Sequence, residues 1–254
     1  ANLIITGVLE ISEFLKAAND FSITALNGTI SLVGSKKQEL DGNLFTNNTV
    51  GNLIFKNSVD LIDSLNITGD ISFTGKNITF NTNDNLTLKS SAEGTASVGK
   101  MKDGNKIIGQ VTVEQYFPAK KGWKFISVST QGNQTIKQAW QENQPTGNTT
   151  GIKGYGIQMT NSMADWAAQG FDAYSASPSI KTHVTETNLW QRLPTTLTTF
   201  NHPSNAYMVF VRGDRGANAL NSPEVPTILR SKGELKSGTQ PVVQVPADKF
   251  VAIG

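Results

Sequence analysis

The sequence predicts an all-β protein in two parts: a β-solenoid-like segment (a parallel β-helix) over 1–106, then a β-sandwich or jelly-roll-like domain over 107–254. Three observations carry this. Short strands bounded by Asn, Gly and Asp recur through the N-terminal segment. Every proline and every tryptophan stands at Pro118 or beyond. From Ile108 onward the apolar runs lengthen, as in Ala206-Tyr-Met-Val-Phe-Val-Arg212, and the loops between them grow. Composition agrees: hydrophobic residues are 37% and charged residues 17% of the chain. Asn, Thr, Ser, Gly and Gln fill the remainder, and these suit pleated strands and left-handed turns better than helices.

The N-terminal strands share a text: Asn2-Leu-Ile-Ile-Thr, Asn52-Leu-Ile-Phe-Lys, Leu65-Asn-Ile-Thr-Gly, Asn77-Ile-Thr-Phe-Asn and Asn85-Leu-Thr-Leu-Lys. Stacked rungs would bury a narrow apolar interior, with asparagines laddering from rung to rung. A meandering sandwich is the rival arrangement. Asn27-Gly28, between Phe21–Leu26 and Thr29–Val33, is the one sharp hairpin candidate. The one helix candidate, Ile11–Ala18, would cap the open end of the solenoid, with Ile11, Phe14 and Leu15 on its apolar side.

The stretch Ile107–Ser129 reads as the seam. Val111 and Val113 alternate with Thr112 and Glu114, Pro118 breaks the strand, and Trp123, Phe125, Ile126 and Val128 resume it. Beyond it, Gln134–Gln141 predicts a short helix with Ile136, Ala139 and Trp140 on one side, and Ser162–Gln169 a second helical turn. Trp190–Leu193, Thr195–Phe200, Ala206–Arg212, Thr227–Lys232 and Val242–Val245 predict strands. Lys249-Phe-Val-Ala-Ile-Gly254 reads as a strand stopped in mid-element, as if the domain were cut short and the polypeptide continued. Ala1, with no Met before it, reads as a processed end or the edge of an ordered fragment.

Chemistry leaves few marks. A net charge of +2, with no basic stripe, points away from nucleic acid. No apolar run approaches a membrane span, so no membrane insertion is expected. Cysteine is absent. His183 and His202 stand without the ligands that zinc needs and without a nucleophile elbow. No cofactor is expected; calcium at Asn81-Thr-Asn-Asp-Asn85 is the alternative, but Leu86 and Ala92 occupy the sixth and twelfth positions, where Gly and Glu belong. Seven Asn-x-Ser/Thr sequons begin at Asn27, Asn47, Asn66, Asn77, Asn85, Asn133 and Asn148.

Candidate interaction residues are Tyr155, Trp166, Arg212 and Asp214. Tyr155 and Trp166 lie in Gly-rich or polar loops and belong with Trp123, Trp140, Trp190, Phe171 and Tyr174 as ring systems able to stack on sugars; aromatic bulk is equally what a sandwich core needs. Arg212-Gly-Asp214 is an adhesion triplet, or a turn after a strand braced by ion pairs. Glu114, Lys120, Lys121, Lys124 and Arg212 are expected to form a charge network near the seam.

Two phrases, Leu88-Lys-Ser-Ser-Ala-Glu-Gly-Thr-Ala-Ser-Val98 and Gly109-Gln-Val-Thr-Val-Glu-Gln-Tyr-Phe-Pro-Ala-Lys-Lys-Gly-Trp-Lys-Phe-Ile-Ser127, resemble linked phrases in large secreted cell-surface proteins of Bacteroidota. Ile136–Glu142, Gly154–Gly156, Gly170–Asp172, Phe210–Arg215, Leu229–Gly233 and Phe250–Gly254 extend the resemblance over most of the chain. Gln115 stands where the family has Arg, and Lys120, Lys121 and Lys124 where Arg is common, which loses planar bidentate donors. The resemblance implies export through the type nine secretion translocon, an extracellular place on the bacterial cell surface, and adhesion, gliding or structural roles; it transfers no catalytic residue. The expectation is a non-enzymatic adhesin stalk or interaction module. The alternatives are a carbohydrate-binding or polysaccharide-active module, meeting surface polysaccharide, and a fibre subunit meeting neighbouring copies. Polysaccharide hydrolysis would need converging carboxylates, and those of this sequence are scattered singly.

Overall fold

The structure is a computed structural model that describes residues 1–14, 21–147, 151–200, 206–217, 222–238 and 242–252. It is nearly all β, with almost no helix, and its N-terminal part is a β-solenoid of about five turns. The chain forms two units, Ala1–Glu114 with Gly233–Thr239, and Gln115–Lys232 with Gln240–Gly254.

In the first unit, β1 (Asn2–Ile4) and β2 (Val8–Ile11) make the first rung. The second carries β3 (Ser22–Leu32) and β4 (Gln38–Leu40), and the third β5 (Phe45–Phe55) and β6 (Val59–Leu61). The fourth holds β7 (Leu65–Ile67), β8 (Asp70–Phe73) and β9 (Thr79–Asn81); the fifth holds β10 (Leu86–Leu88), β11 (Ser97–Val98) and β12 (Lys106–Ile108). β13 (Gln110–Phe117) begins the next. Every rung pairs in parallel with its neighbours, Asn2 with Ser22, Leu65 with Leu86 and Leu86 with Val111. A turn therefore takes about twenty residues or slightly more, at the short end of solenoid repeats. The similar phrases at Leu65, Asn77 and Asn85 are therefore not one per turn: the first two lead into β7 and β9 of the fourth rung, the third into β10 of the fifth. A small hairpin, Lys89–Ala96, lengthens the fifth rung; Ser90 and Thr95 bridge antiparallel in it.

Alternation in each short strand sends one set of apolar side chains inward. Ile23, Ile30, Leu32, Val50, Leu53, Phe55, Ile67, Ile71, Phe80 and Val111 are fully buried. Phe55 sits at the centre, with ring centroids 5.4 Å from Phe73 and 4.5 Å from Phe80. The corners are built by residues that accept a left-handed backbone: Asn47, Asn48, Asn77, Asn83, Asp84 and Asp103 all have positive φ. The expected asparagine-on-asparagine ladder is replaced by bonds to main chain one rung away. Asn83 Nδ2 donates to Leu61 O (2.8 Å) and Asn105 Nδ2 to Gly75 O (2.9 Å), while Asn52 Oδ1 accepts from Asp70 N (2.8 Å). Such bonds satisfy corner backbone groups that no ladder reaches.

Asn27-Gly28 is a corner inside β3, not a hairpin: β3 pairs in parallel with β5 on both sides of it, with a register shift between Ala25 and Thr29. Glycine is needed because a Cβ at 28 would lie 2.5 Å from Ile5 O. A Cβ at Gly42 would meet Ser64 O still more closely, so that tight turn admits only glycine as well. The proposed helix at Ile11–Ala18 is not formed in its described part, where Ile11 ends β2 and Ser12–Phe14 is irregular; residues 15–18 lie outside the described residues.

The second unit contains β14 (Gly122–Ser127), β15 (Thr130–Gln131), α1 (Ile136–Trp140), β16 (Thr160–Asn161), β17 (Ala173–Tyr174), β18 (Ile180–Val184), β19 (Leu189–Arg192) and β20 (Ala206–Val211). β21 (Thr227–Leu235) gives residues to both units, as does β13. Helix α1 forms where expected: Thr135 and Gln138 make a reciprocal capping box, and Ile136, Ala139 and Trp140 are buried. Thr195–Phe200 is not a strand. Its backbone is spent elsewhere, Thr196 O and Thr198 O accepting the free amides of Lys137 and Ile136 at the start of α1. Val242–Val245 is not a strand either; Val242 and Val245 are exposed, and Pro246 has no amide to donate. The described part of Lys249–Gly254 is likewise irregular.

Candidate binding face

The sheet β14-β20-β18-β19 is antiparallel throughout. Its register decides which side chains share a face, because directly opposed residues point the same way. Trp123 opposes Phe210, and Phe125 opposes Met208. Met208 also opposes Lys181, which opposes Arg192, and His183 opposes Trp190. Residues two apart on a strand share a face. One side therefore carries Trp123, Phe125, Met208, Phe210, Lys181, His183, Trp190 and Arg192, with Arg212 following Phe210. The other side sends Ile126, Tyr207, Val209, Val211 and Ile180 into a core with Trp140, Ile157, Met159 and Phe171.

The first side is aromatic and open: Phe125 is 72% exposed and Trp123 41%. Trp123 meets Phe210 edge-on at 5.4 Å, and Phe125 meets Trp190 at 5.4 Å, tilted by 47°. Cations sit among the rings. Lys181 Nζ lies 5.0 Å from the Trp123 ring centre and Arg212 Cζ 4.8 Å from that of Phe210. Such contacts are worth about 0.5–1 kcal/mol where exposed. Arg192 Nη1 donates to Ser162 Oγ (3.0 Å). Arg212 is partly buried, and burial lowers its pKa; its Nη1 has no hydrogen-bond partner among the described residues. His183 is 6% exposed, its ring edge-on to Trp190. None of the four strands carries an acidic side chain.

Of the rings singled out in the sequence, the sheet brings together Trp123 and Trp190, joined by Phe125 and Phe210. Trp140 and Phe171 are core. Tyr155 is half-buried beneath Arg230, 4.4 Å from its ring centre, and Trp166 packs against the core. Neither belongs to the sheet. Tyr174 is 59% exposed, on the separate pair β16–β17. Phe125 and Phe210 were legible only as strand residues. Alternation in Trp123-Lys-Phe125 and Met208-Val-Phe210 puts each pair on one face, but which strands pair requires the register.

Asp214 has another task. Its Oδ2 accepts from Gly154 N (2.8 Å) and its Oδ1 from Gly216 N (2.9 Å), so among the described residues the Arg-Gly-Asp turn is braced by main-chain amides and not by ion pairs. The next residue, Arg215, is fully buried with Asp172: Nη2 donates to Oδ1 (2.8 Å) and Nη1 to Oδ2 (3.0 Å) and to Ile157 O (2.9 Å). Asp172 Oδ2 also accepts from Gln141 Nε2 and Met159 N, each at 2.8 Å.

The charge network expected around Glu114 does not form as expected. Glu114 is 2% exposed and pairs with Lys89 (2.6 Å) at the base of the Lys89–Ala96 hairpin, while Lys121 Nζ donates to Ser222 O (2.7 Å). At the calcium-like turn, Asn81 Nδ2 donates to Asn83 Oδ1 and Asp84 Oδ1 accepts from Gln110 N, ordinary turn bonds. No three His, Asp or Glu side chains converge to hold a metal ion among the described residues, and none of the described helices is long and apolar enough to cross a membrane. His202 and Asn148 lie outside the described residues. Compared with known proteins, the chain matches no family model, no curated protein and no solved structure.

Proposed function

We propose that this chain is a non-enzymatic segment of a large extracellular surface protein, exported by the type nine secretion route in a bacterium of the Bacteroidota and engaged in adhesion to surface polysaccharide. In this reading the solenoid is a stiff structural element, and the second unit, a β-sandwich-like domain, is the interaction module. The observation that carries it is the open ring surface of Trp123 and Phe125 on a sheet whose opposite side is core. Rings fixed on a sheet stack on the C–H faces of sugars at little entropic cost, since the strands already hold them. Screening the chain on a glycan array tests this. Binding is expected, and Phe125→Ala is expected to weaken it at least tenfold. An array with no binder, or binding indifferent to Phe125→Ala, would overturn the reading.

Self-assembly into a fibre is the second reading, favoured by the first rung. Strands β1 and β2 are paired on one side only among the described residues, and Leu3, Ile4 and Val8 are exposed on them. Sedimentation velocity over a hundredfold concentration range should then show mass growing with concentration, and growth should stop with Ile4→Lys. A constant monomer mass would end this reading.

A further inference from the structure

The ring surface is set among positive charges, and its arrangement selects a kind of sugar. We propose that this sheet face binds a polyuronate, a polysaccharide with one carboxylate per sugar, the rings of Phe125 and Trp123 taking the sugar faces and Arg212, Lys181 and Arg192 taking the carboxylates.

Three observations converge. Lys181 and Arg192 are directly opposed across β18 and β19 on the same side of the sheet. Like charges in that position repel; Lys181 turns to the Trp123 ring and Arg192 to Ser162 Oγ, and an anion on the face would offset the repulsion that remains. Arg212 is partly buried over Phe210, and its Nη1 is shielded from water without a hydrogen-bond partner among the described residues. Nη1 itself is closed to an outside ligand, so a planar carboxylate would meet the guanidinium along its Nε and Nη2 edge, with two parallel bonds. The four strands carry no carboxylate to supply this, since their ionised side chains are all basic.

Competing occupants fit less well. A second copy docking through the same face would set these cations against themselves. Densely sulfated chains and duplex nucleic acid need a continuous basic track, whereas three cations spread across the sheet match a polymer with a single charge per unit.

This inference rests on the glycan-binding reading above, and the test separates the two. Calorimetry on the full chain would use oligogalacturonate and oligomannuronate, the same oligomers fully methyl-esterified, heparin and a thymidine oligonucleotide. At least one free uronate oligomer is expected to bind. Its affinity should fall at least tenfold on esterification and on Arg212→Gln, and should weaken as salt rises. Should Arg212→Gln fail to fold, judged by tryptophan fluorescence, the double variant Lys181→Gln/Arg192→Gln, at exposed or half-exposed positions, reads the same loss. Equal binding of acid and ester would overturn charge selection while leaving the glycan face standing. Binding to none of these oligomers would overturn the polyuronate proposal and leave the glycan reading to the array, whereas uronate binding unaffected by Phe125→Ala would overturn the ring face and with it both. Preference for heparin or the oligonucleotide would replace the ligand class proposed here.

Discussion

Replacing Asp172 with alanine is expected to destabilise the second unit by about 3–5 kcal/mol, the cost of stranding a buried charge. The Arg215 side chain has no solvent exposure, so once the carboxylate is gone its guanidinium has no water to turn to. Gln141 Nε2 and Met159 N lose the acceptor they share. Gly151 and Gly156 let backbone lie close along the arginine's methylenes, where a Cβ would come within 2.8 and 3.2 Å of them. Removing both charges, as Asp172→Leu with Arg215→Met, should cost much less than the single change, because desolvation and attraction then vanish together. The readout is built in. All four tryptophans and all four tyrosines lie in the second unit, so urea unfolding followed by tryptophan fluorescence reports this unit. A shift below about 1 kcal/mol for Asp172→Ala would mean that the pair is not the brace its burial implies.

The same pair explains what several phrases in the sequence were doing. Gly154–Gly156, Gly170–Asp172 and Phe210–Arg215 stood out as separate fragments, and they meet at one place. Asp172 holds Arg215, Asp214 holds the Gly154 amide, and Gly156 has a positive φ beside Trp140 O and the Arg215 side chain. Ile136–Glu142 and Leu229–Gly233 meet through Glu142 and Arg230. Nothing local in those phrases encodes the meeting, since Asp172 and Arg215 are 43 residues apart.

The solenoid was legible for the opposite reason. Its turns are local, and asparagine at a corner advertises a left-handed backbone in the sequence itself. What stayed hidden there was rung length, because two or three strands of similar text fall within each turn. The binding face was half legible. Trp123 and Trp190 were named among the rings, but the pairing of β14 with β20 and β18 with β19 is fixed by tertiary contacts. Tyr155 drew attention because of flanking glycines that answer other needs: both take a left-handed backbone, and Gly156 also lies against the Arg215 side chain.

Replacing Phe55 with alanine is expected to cost the solenoid about 3–5 kcal/mol, the range for emptying an aromatic site in a packed core. Phe55 is fully buried, opposes Leu32 one rung before and Phe73 one rung after, and touches Phe80 across the interior. A rung is thin, with backbone on all sides held by neighbours, so the cavity cannot collapse without breaking ladder bonds to both. The damage should therefore spread along the stack. Hydrogen exchange read by mass spectrometry should speed up in peptides covering β3 and β8 as well as β5. Phe55→Leu, which keeps most of the volume, should cost less than about 1.5 kcal/mol and leave that protection largely in place. If Phe55→Ala released only β5, the rungs would be behaving as separate strands, and the cooperativity expected of stacked repeats would be wrong for this solenoid.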